Sequence, residues 1–225
     1  VPNTTPSFES IRAEVAAAGR TLAAEGLLIG TAGNVSARAD DYVAVTTTGV
    51  VLGNATPEQV TVVDLDGTVV AGEFAPTSEL ELHLGVYRRF NAGAVVHTHS
   101  PLATALSLVL DELPCIHYQL LLLGGAVRVA PFAAFGTPEL AEYVLTALEG
   151  KAAALLANHG AVTHGPTLDK AVENAQLLEW ACGVYQHAAA IGTPRALDTE
   201  QQAAVITAAI SSGYGSTRKL NEESS

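Results

Sequence analysis

Apolar residues recur at Ile11, Val15, Ala18 and Leu22, the spacing of one helix face, and Gly26 follows as a stop. The pattern predicts a helix over residues 8–25 with Ser7 as its N-cap. The period then shortens. Residues 34–38 and 42–47 read as strands joined across Asp40-Asp41, and residues 61–65 with 68–71 as a hairpin around Asp66-Gly67. Thr77 is placed to cap a second helix that carries Leu80, Leu84 and Tyr87 on one face, ends near Arg89 and leads into the apolar strand Ala94-Val95-Val96.

Helical and extended segments alternate from there. A helix follows Pro101, a strand covers residues 126–130, and Thr137 caps a helix with Pro138 at its first position and Gly150 as terminator. Residues 153–157 read as a short buried strand. A long helix opens at Thr167 and runs to about Ile191, where Gly192 and Pro194 end it, and a last helix begins near Thr199. No linker, repeat or break in composition interrupts the pattern, so residues 1–225 are expected to form a single α/β domain, a central sheet with helices on its faces.

Composition narrows the function. The 225 residues include 11 Lys plus Arg against 23 Asp plus Glu, a net charge of −12. A field this acidic repels nucleic-acid phosphates and anionic lipid headgroups alike. Hydrophobic residues make up 48% and charged residues 15%, enough to fill a core. No apolar run approaches the ~18 residues of a membrane span, and no secretory leader is recognisable, so a soluble, cytoplasmic protein is expected. Cys115 and Cys182 lack a CxxC spacing, which leaves neither a disulfide framework nor a thiolate zinc site.

Histidines carry the candidate chemistry. His97 and His99 are two apart at the end of an apolar strand, so both imidazoles project from one face. That spacing suits a metal-ligand pair, and equally two histidines satisfied by hydrogen bonds. His159, in Asn158-His159-Gly160 after the strand at 153–157, offers a third imidazole from a loop. Three neutral imidazoles with an open coordination position are the stock of a catalytic zinc site. Glu79, in Pro76-Thr77-Ser78-Glu79, sits where the first turn of a helix is expected, and both capping and acid/base catalysis are open to it. His83, four residues on, reads as a surface or local partner. Gly33-Asn34-Val35-Ser36, Thr46-Thr47-Thr48-Gly49 and Thr77-Ser78 supply amides and small hydroxyls able to cradle a phosphate without lysine, although each alone is an ordinary turn signal. Neither a Walker loop nor a GxGxxG before a helix is present.

Taken in order, GNVS, TTTG, PTSE, HTH and NHG resemble the class II aldolase/adducin family, and among its members the L-fuculose-1-phosphate aldolases, over about residues 8–215. The resemblance implies a mixed, mostly antiparallel central sheet covered by helices on both faces, and a homotetramer with active sites between subunits. It implies one Zn2+ or similar divalent ion per chain on His97, His99 and His159, and Glu79 as acid/base. Gly33, Asn34, Thr48, Gly49, Thr77 and Ser78 match its phosphate-binding positions. Tyr118 matches a tyrosine supplied by an adjacent subunit, and Tyr214 one in a mobile C-terminal segment, here residues 214–225. The implied activity is cleavage of a ketose 1-phosphate, L-fuculose 1-phosphate or a related 5-deoxy ketose 1-phosphate, to dihydroxyacetone phosphate and an aldehyde. Family 4-epimerases resemble His-Ala-Asp where this chain has His117-Tyr118-Gln119, so their aspartate is missing; dehydratases and decarboxylases share the motifs. A non-catalytic adducin-head-like domain is expected to have eroded ligands, and here the three histidines and Glu79 are intact. Residues 115–125 are apolar enough to suggest either an interface or the monomer core.

Overall fold

The computed structural model describes residues 8–215, in which nine strands form one sheet in the order β4-β3-β2-β1-β5-β9-β8-β7-β6. The strands are β1 Asn34–Ala39, β2 Tyr42–Thr46, β3 Val60–Asp64, β4 Val69–Ala71, β5 Ala94–Thr98, β6 Glu112–Leu113, β7 Val127–Ala130, β8 Ala153–Leu156 and β9 Gly160–Gly165. Every neighbouring pair is antiparallel except β7 and β8. Six helices cover it: α1 Glu9–Ala24, α2 Leu80–Phe90, α3 Pro101–Ser107, α4 Pro138–Ala147, α5 Leu168–Ile191 and α6 Thr199–Ser212. The fold is thus a single α/β domain with a mixed, mostly antiparallel sheet. Among the described residues no helix is long and apolar enough to cross a membrane.

The core lies on both sides of the sheet. On one face α2 and α4 bring Leu82, Val86, Leu140 and Val144 against Val43, Val95 and Leu156. On the other, α1 packs Val15 and Leu22 over Val35, Val62 and Val96, while α3 and α5 enclose Leu106, Leu155 and Leu178. Truncating a fully buried member such as Leu155 to Ala would cost about 2–5 kcal/mol.

Local sequence explains most boundaries and several departures from expectation. Thr137 and Thr167 cap α4 and α5 through their side-chain oxygens. Ser7, the expected cap of α1, lies outside the described residues, and Phe8 stands at the cap position without a side-chain bond. The expected strand at 126–130 begins at Val127, and α4 ends at Ala147 before a last turn closed by Gly150 at φ +71°. Asp64 Oδ1 accepts from the amides of Asp66 and Thr68, which closes the predicted hairpin. Strand β9, the short β6 and a 3-10 helix at Tyr118–Leu123 were not expected. That 3-10 helix divides the apolar stretch 115–125, with Cys115, Leu120 and Leu123 in the core and Tyr118 and Leu122 exposed.

Candidate active site

Three adjacent strands and one helix start deliver the site. His97 lies in β5 and His99 just past its end; β9, the antiparallel neighbour, begins one residue after His159. Gly160 permits the approach, since a Cβ there would lie 2.2 Å from the Thr98 carbonyl oxygen. On the other side of β5, β1 pairs Asn34 with His97. Just before it, Gly33 takes φ +91°, and a Cβ would meet Leu28 at 2.5 Å and the His97 carbonyl oxygen at 2.9 Å.

Glu79 arrives differently from the expected first-turn position. It is the N-cap residue of α2, yet its side chain makes no capping bond; its own amide donates to Thr77 Oγ1 at 3.3 Å. The carboxylate turns inward instead. The segment before α2 is tied to β2 by Thr77 N donating to the Thr46 carbonyl and Thr48 N to the Ala75 carbonyl, which fixes where Glu79 emerges.

The three imidazole centroids are each 4.8 Å from the others, and one ligand atom from each ring falls within 4.8 Å of the rest. His97 Nδ1 donates to the Ala161 carbonyl at 3.0 Å, which leaves the Nε2 lone pair facing the cluster. That Nε2 is 3.0 Å from His99 Nε2 and 3.1 Å from Glu79 Oε2, while His159 Nε2 is 3.7 Å from Glu79 Oε1. Oε1 is buried with no hydrogen-bond partner. Lone pairs this close repel unless a proton or cation lies among them. Burial holds the His99 and His159 pKa values down to about 4, aided by repulsion from His97, so both rings readily offer lone pairs. Burial alone would raise the Glu79 carboxyl, but His97, Asn34 and His159 outweigh it and keep the group well below the usual carboxylate range. Burial also opposes charge on His97, which Glu79 and the Ala161 carbonyl overcome to raise its pKa. Three imidazoles and an unpartnered carboxylate oxygen are a donor set able to coordinate a divalent ion.

These groups open onto a cavity of about 710 Å³. Gly33, Asn34, Thr48, Gly49, Thr77 and Ser78 all line it, with Glu79, His99 and His159. The N–H groups of Gly33, Gly49 and Ser78 have no hydrogen-bond partner among the described residues. Asn34 differs: its side-chain nitrogen donates to Glu79 Oε2 at 2.9 Å and its oxygen faces His83. His83 is fully buried, which corrects its expected surface placement and leaves it as a local partner. Tyr118 and Tyr214 do not line the cavity of their own chain; they meet at its exposed surface, hydroxyl to hydroxyl at 3.3 Å. Sequence reading missed Phe132 and Phe135, 67% and 71% exposed on the cavity wall; two aromatics in a short loop before a capped helix were the available signal. A second concavity of about 560 Å³ between α1 and α5 is lined by none of the candidate catalytic, metal-binding or phosphate-binding residues.

A family model described as Class II Aldolase and Adducin N-terminal domain matches residues 13–186. The chain is 36% identical over 193 residues to a 5-deoxy-D-ribulose 1-phosphate aldolase of Bacillus thuringiensis serovar kurstaki, covering 84% of this chain and 91% of that protein. It is 37% identical over 183 residues to the L-fuculose phosphate aldolase of Escherichia coli strain K12, covering 80% and 85%. A solved L-fuculose 1-phosphate aldolase superposes with a TM-score of 0.86 at 32% identity, over 90% of this chain and 97% of that one. With its metal-competent histidines and Glu79 brought together, the chain belongs to the class II aldolase and adducin family, as an enzyme of the metal-dependent aldolases.

Proposed function

We propose that this enzyme reversibly cleaves a ketose 1-phosphate, L-fuculose 1-phosphate or a 5-deoxy ketose 1-phosphate, to dihydroxyacetone phosphate and an aldehyde. The observation that carries the reading is one cavity lined both by unpartnered amides with small hydroxyls beside them and by Glu79, His99 and His159 of the cluster. The amides of Gly33, Gly49 and Ser78, with the hydroxyls of Thr48, Thr77 and Ser78, bind the phosphate by neutral donors. Asn34 borders the same pocket, its side chain already engaged by Glu79 and His83. Phosphate binding remote from the reacting carbons orients the sugar.

His97, His99 and His159 would hold one zinc or similar ion, with Glu79 beside it. Such an ion supplies Lewis-acid polarisation of a carbonyl and countercharge as the carbon–carbon bond breaks. Glu79 carries the proton: in cleavage it protonates the carbon that has lost the aldehyde, and in condensation it removes the same proton from dihydroxyacetone phosphate. Oε2 is held by Asn34, which leaves Oε1 for the transfer. The hydroxyl that becomes the aldehyde gives up its proton in cleavage and regains it in condensation, so it needs its own proton carrier, and the chain's Tyr118 and Tyr214 do not line its own cavity. In a homotetramer with shared sites, the neighbouring subunit would supply this pair. The exposed rings of Phe132 and Phe135 form an apolar wall suited to the methyl end of a deoxy sugar.

A panel of phosphorylated ketoses, scored for dihydroxyacetone phosphate release with and without chelator, tests the reading. Chelator-sensitive release from 5-deoxy or 6-deoxy ketose 1-phosphates is expected; release from none of the panel rejects it.

A further inference from the structure

Behind Glu79 a chain of hydrogen bonds runs into the interior. Asn34 Nδ2 lies 2.9 Å from Glu79 Oε2, and His83 Nε2 faces Asn34 Oδ1. Ser36 Oγ is 2.6 Å from His83 Nδ1, and the Tyr87 hydroxyl is 2.7 Å from Ser36 Oγ. Ser36 and His83 are fully buried and Tyr87 nearly so, and none of the three lines the cavity.

The chemistry of the donors assigns each proton. A carboxylate only accepts, so Asn34 must turn its NH2 to Glu79 and its oxygen to His83. His83 Nε2 must then donate. Burial pushes the His83 pKa down to about 3, with His97 assisting and Glu79 opposing, so the ring is neutral and carries one N–H. Its Nδ1 therefore accepts from Ser36, whose lone pair accepts from Tyr87. Every hydrogen in the series points toward Glu79, an arrangement in which each bond polarises the next.

We propose that His83 is a positioning residue: its Nε2–H holds the Asn34 amide in the one orientation that presents NH2 to Glu79, and Ser36 and Tyr87 fix the tautomer that does so. A flipped amide would set the Asn34 oxygen against a carboxylate oxygen and drive Glu79 out of place. The catalytic part of this inference rests on the proton-carrying role given to Glu79 above.

Two measurements test it. Neutron diffraction from perdeuterated protein reads the orientation without reference to activity. Deuterium on His83 Nε2 and the Asn34 ND2 group facing Glu79 are expected; deuterium on Nδ1 alone, or a reversed amide, overturns the proposal. In kinetics, His83→Leu should lower kcat about 10–100-fold with KM and bound metal little changed, a loss characteristic of outer-shell partners. His83→Gln, which offers a donor and an acceptor at similar spacing, should restore most of it. Equal kcat losses in the two variants, or none in His83→Leu, overturn the positioning role. Should His83→Leu fail to fold, Ser36→Ala removes the donor to Nδ1 together with the acceptor of the Tyr87 hydroxyl and should also depress kcat at unchanged KM; unaltered kcat there overturns the proposal. Wild-type protein that releases no dihydroxyacetone phosphate rejects the aldolase reading itself, while the deuterium positions still decide the Asn34 orientation.

Discussion

Asn34 and Glu79 stand 45 positions apart in the chain, yet their side chains meet at 2.9 Å in the buried floor of the site. The contact exists because β1 pairs with β5 beside His97, while the segment before α2 is stitched to β2. It fixes one carboxylate oxygen and leaves the other without a partner.

Metal content follows from the histidine cluster. Purified protein should carry about one divalent ion per chain, and His97→Ala should lose it. Elemental analysis of the two proteins decides, and a metal-free wild type whose activity ignores chelators contradicts the assignment.

Glu79→Gln separates proton transfer from helix support. Because the Glu79 side chain makes no capping bond, the substitution removes no helix cap, while exchange of the dihydroxyacetone phosphate proton with solvent should cease. Isotope exchange followed by NMR reads this directly; exchange at the wild-type rate rules out the role.

Gly160→Ala probes how the histidines are brought together. A Cβ there would press on the Thr98 carbonyl oxygen at 2.2 Å and force β9 and β5 apart at the ligands. Metal affinity, measured by competition with a chromogenic chelator, should fall more than the melting temperature does. Unchanged affinity would show that the turn at His159 adapts.

Acid should weaken the fold through His83. Its pKa is lowered from 6.5 to about 3 in the folded protein, so the unfolded chain binds the extra proton first. Stability is then complete above pH 6.5 and lost as pH falls toward 3. At pH 5 the loss from this residue alone is on the order of 2 kcal/mol. Urea unfolding at pH 7 and pH 5 should show a smaller difference for His83→Gln than for wild type, and equal differences would contradict this origin.

Tyr118→Phe and Glu79→Gln chains, each nearly inactive alone, should recover partial activity when refolded together, because some mixed interfaces regain one intact site. Assay of verified mixed oligomers decides. No recovery would mean that Tyr118 does not act on a neighbour's site.

Much of this was legible in the chain itself. Helices α1, α4 and α5 follow from apolar spacing and from caps such as Thr137 and Thr167, which act within a turn or two of their own position. His97, His99, His159 and Glu79 stand out because their types and surroundings are chemically uncommon, and five short motifs in order carry the family. Strand β9 escaped notice because Gly160, Thr163, His164 and Gly165 dilute its apolar signal; its pairing with β5 and β8 supplies what its composition lacks.

Sequence, then, determined the local periodicities, the acidic surface and the stock of metal-competent side chains, all of which depend on neighbours within a few residues. Tertiary structure alone decided that Glu79 faces inward rather than capping α2, that His83 is a buried link to Asn34 rather than a surface group, and that Tyr118 meets Tyr214 outside the cavity. The physical reason is the order of strands in the sheet. Which strands lie side by side is chosen by burial and hydrogen bonding between distant segments, and that choice sets which polar atoms are left to satisfy one another across 45 or more residues.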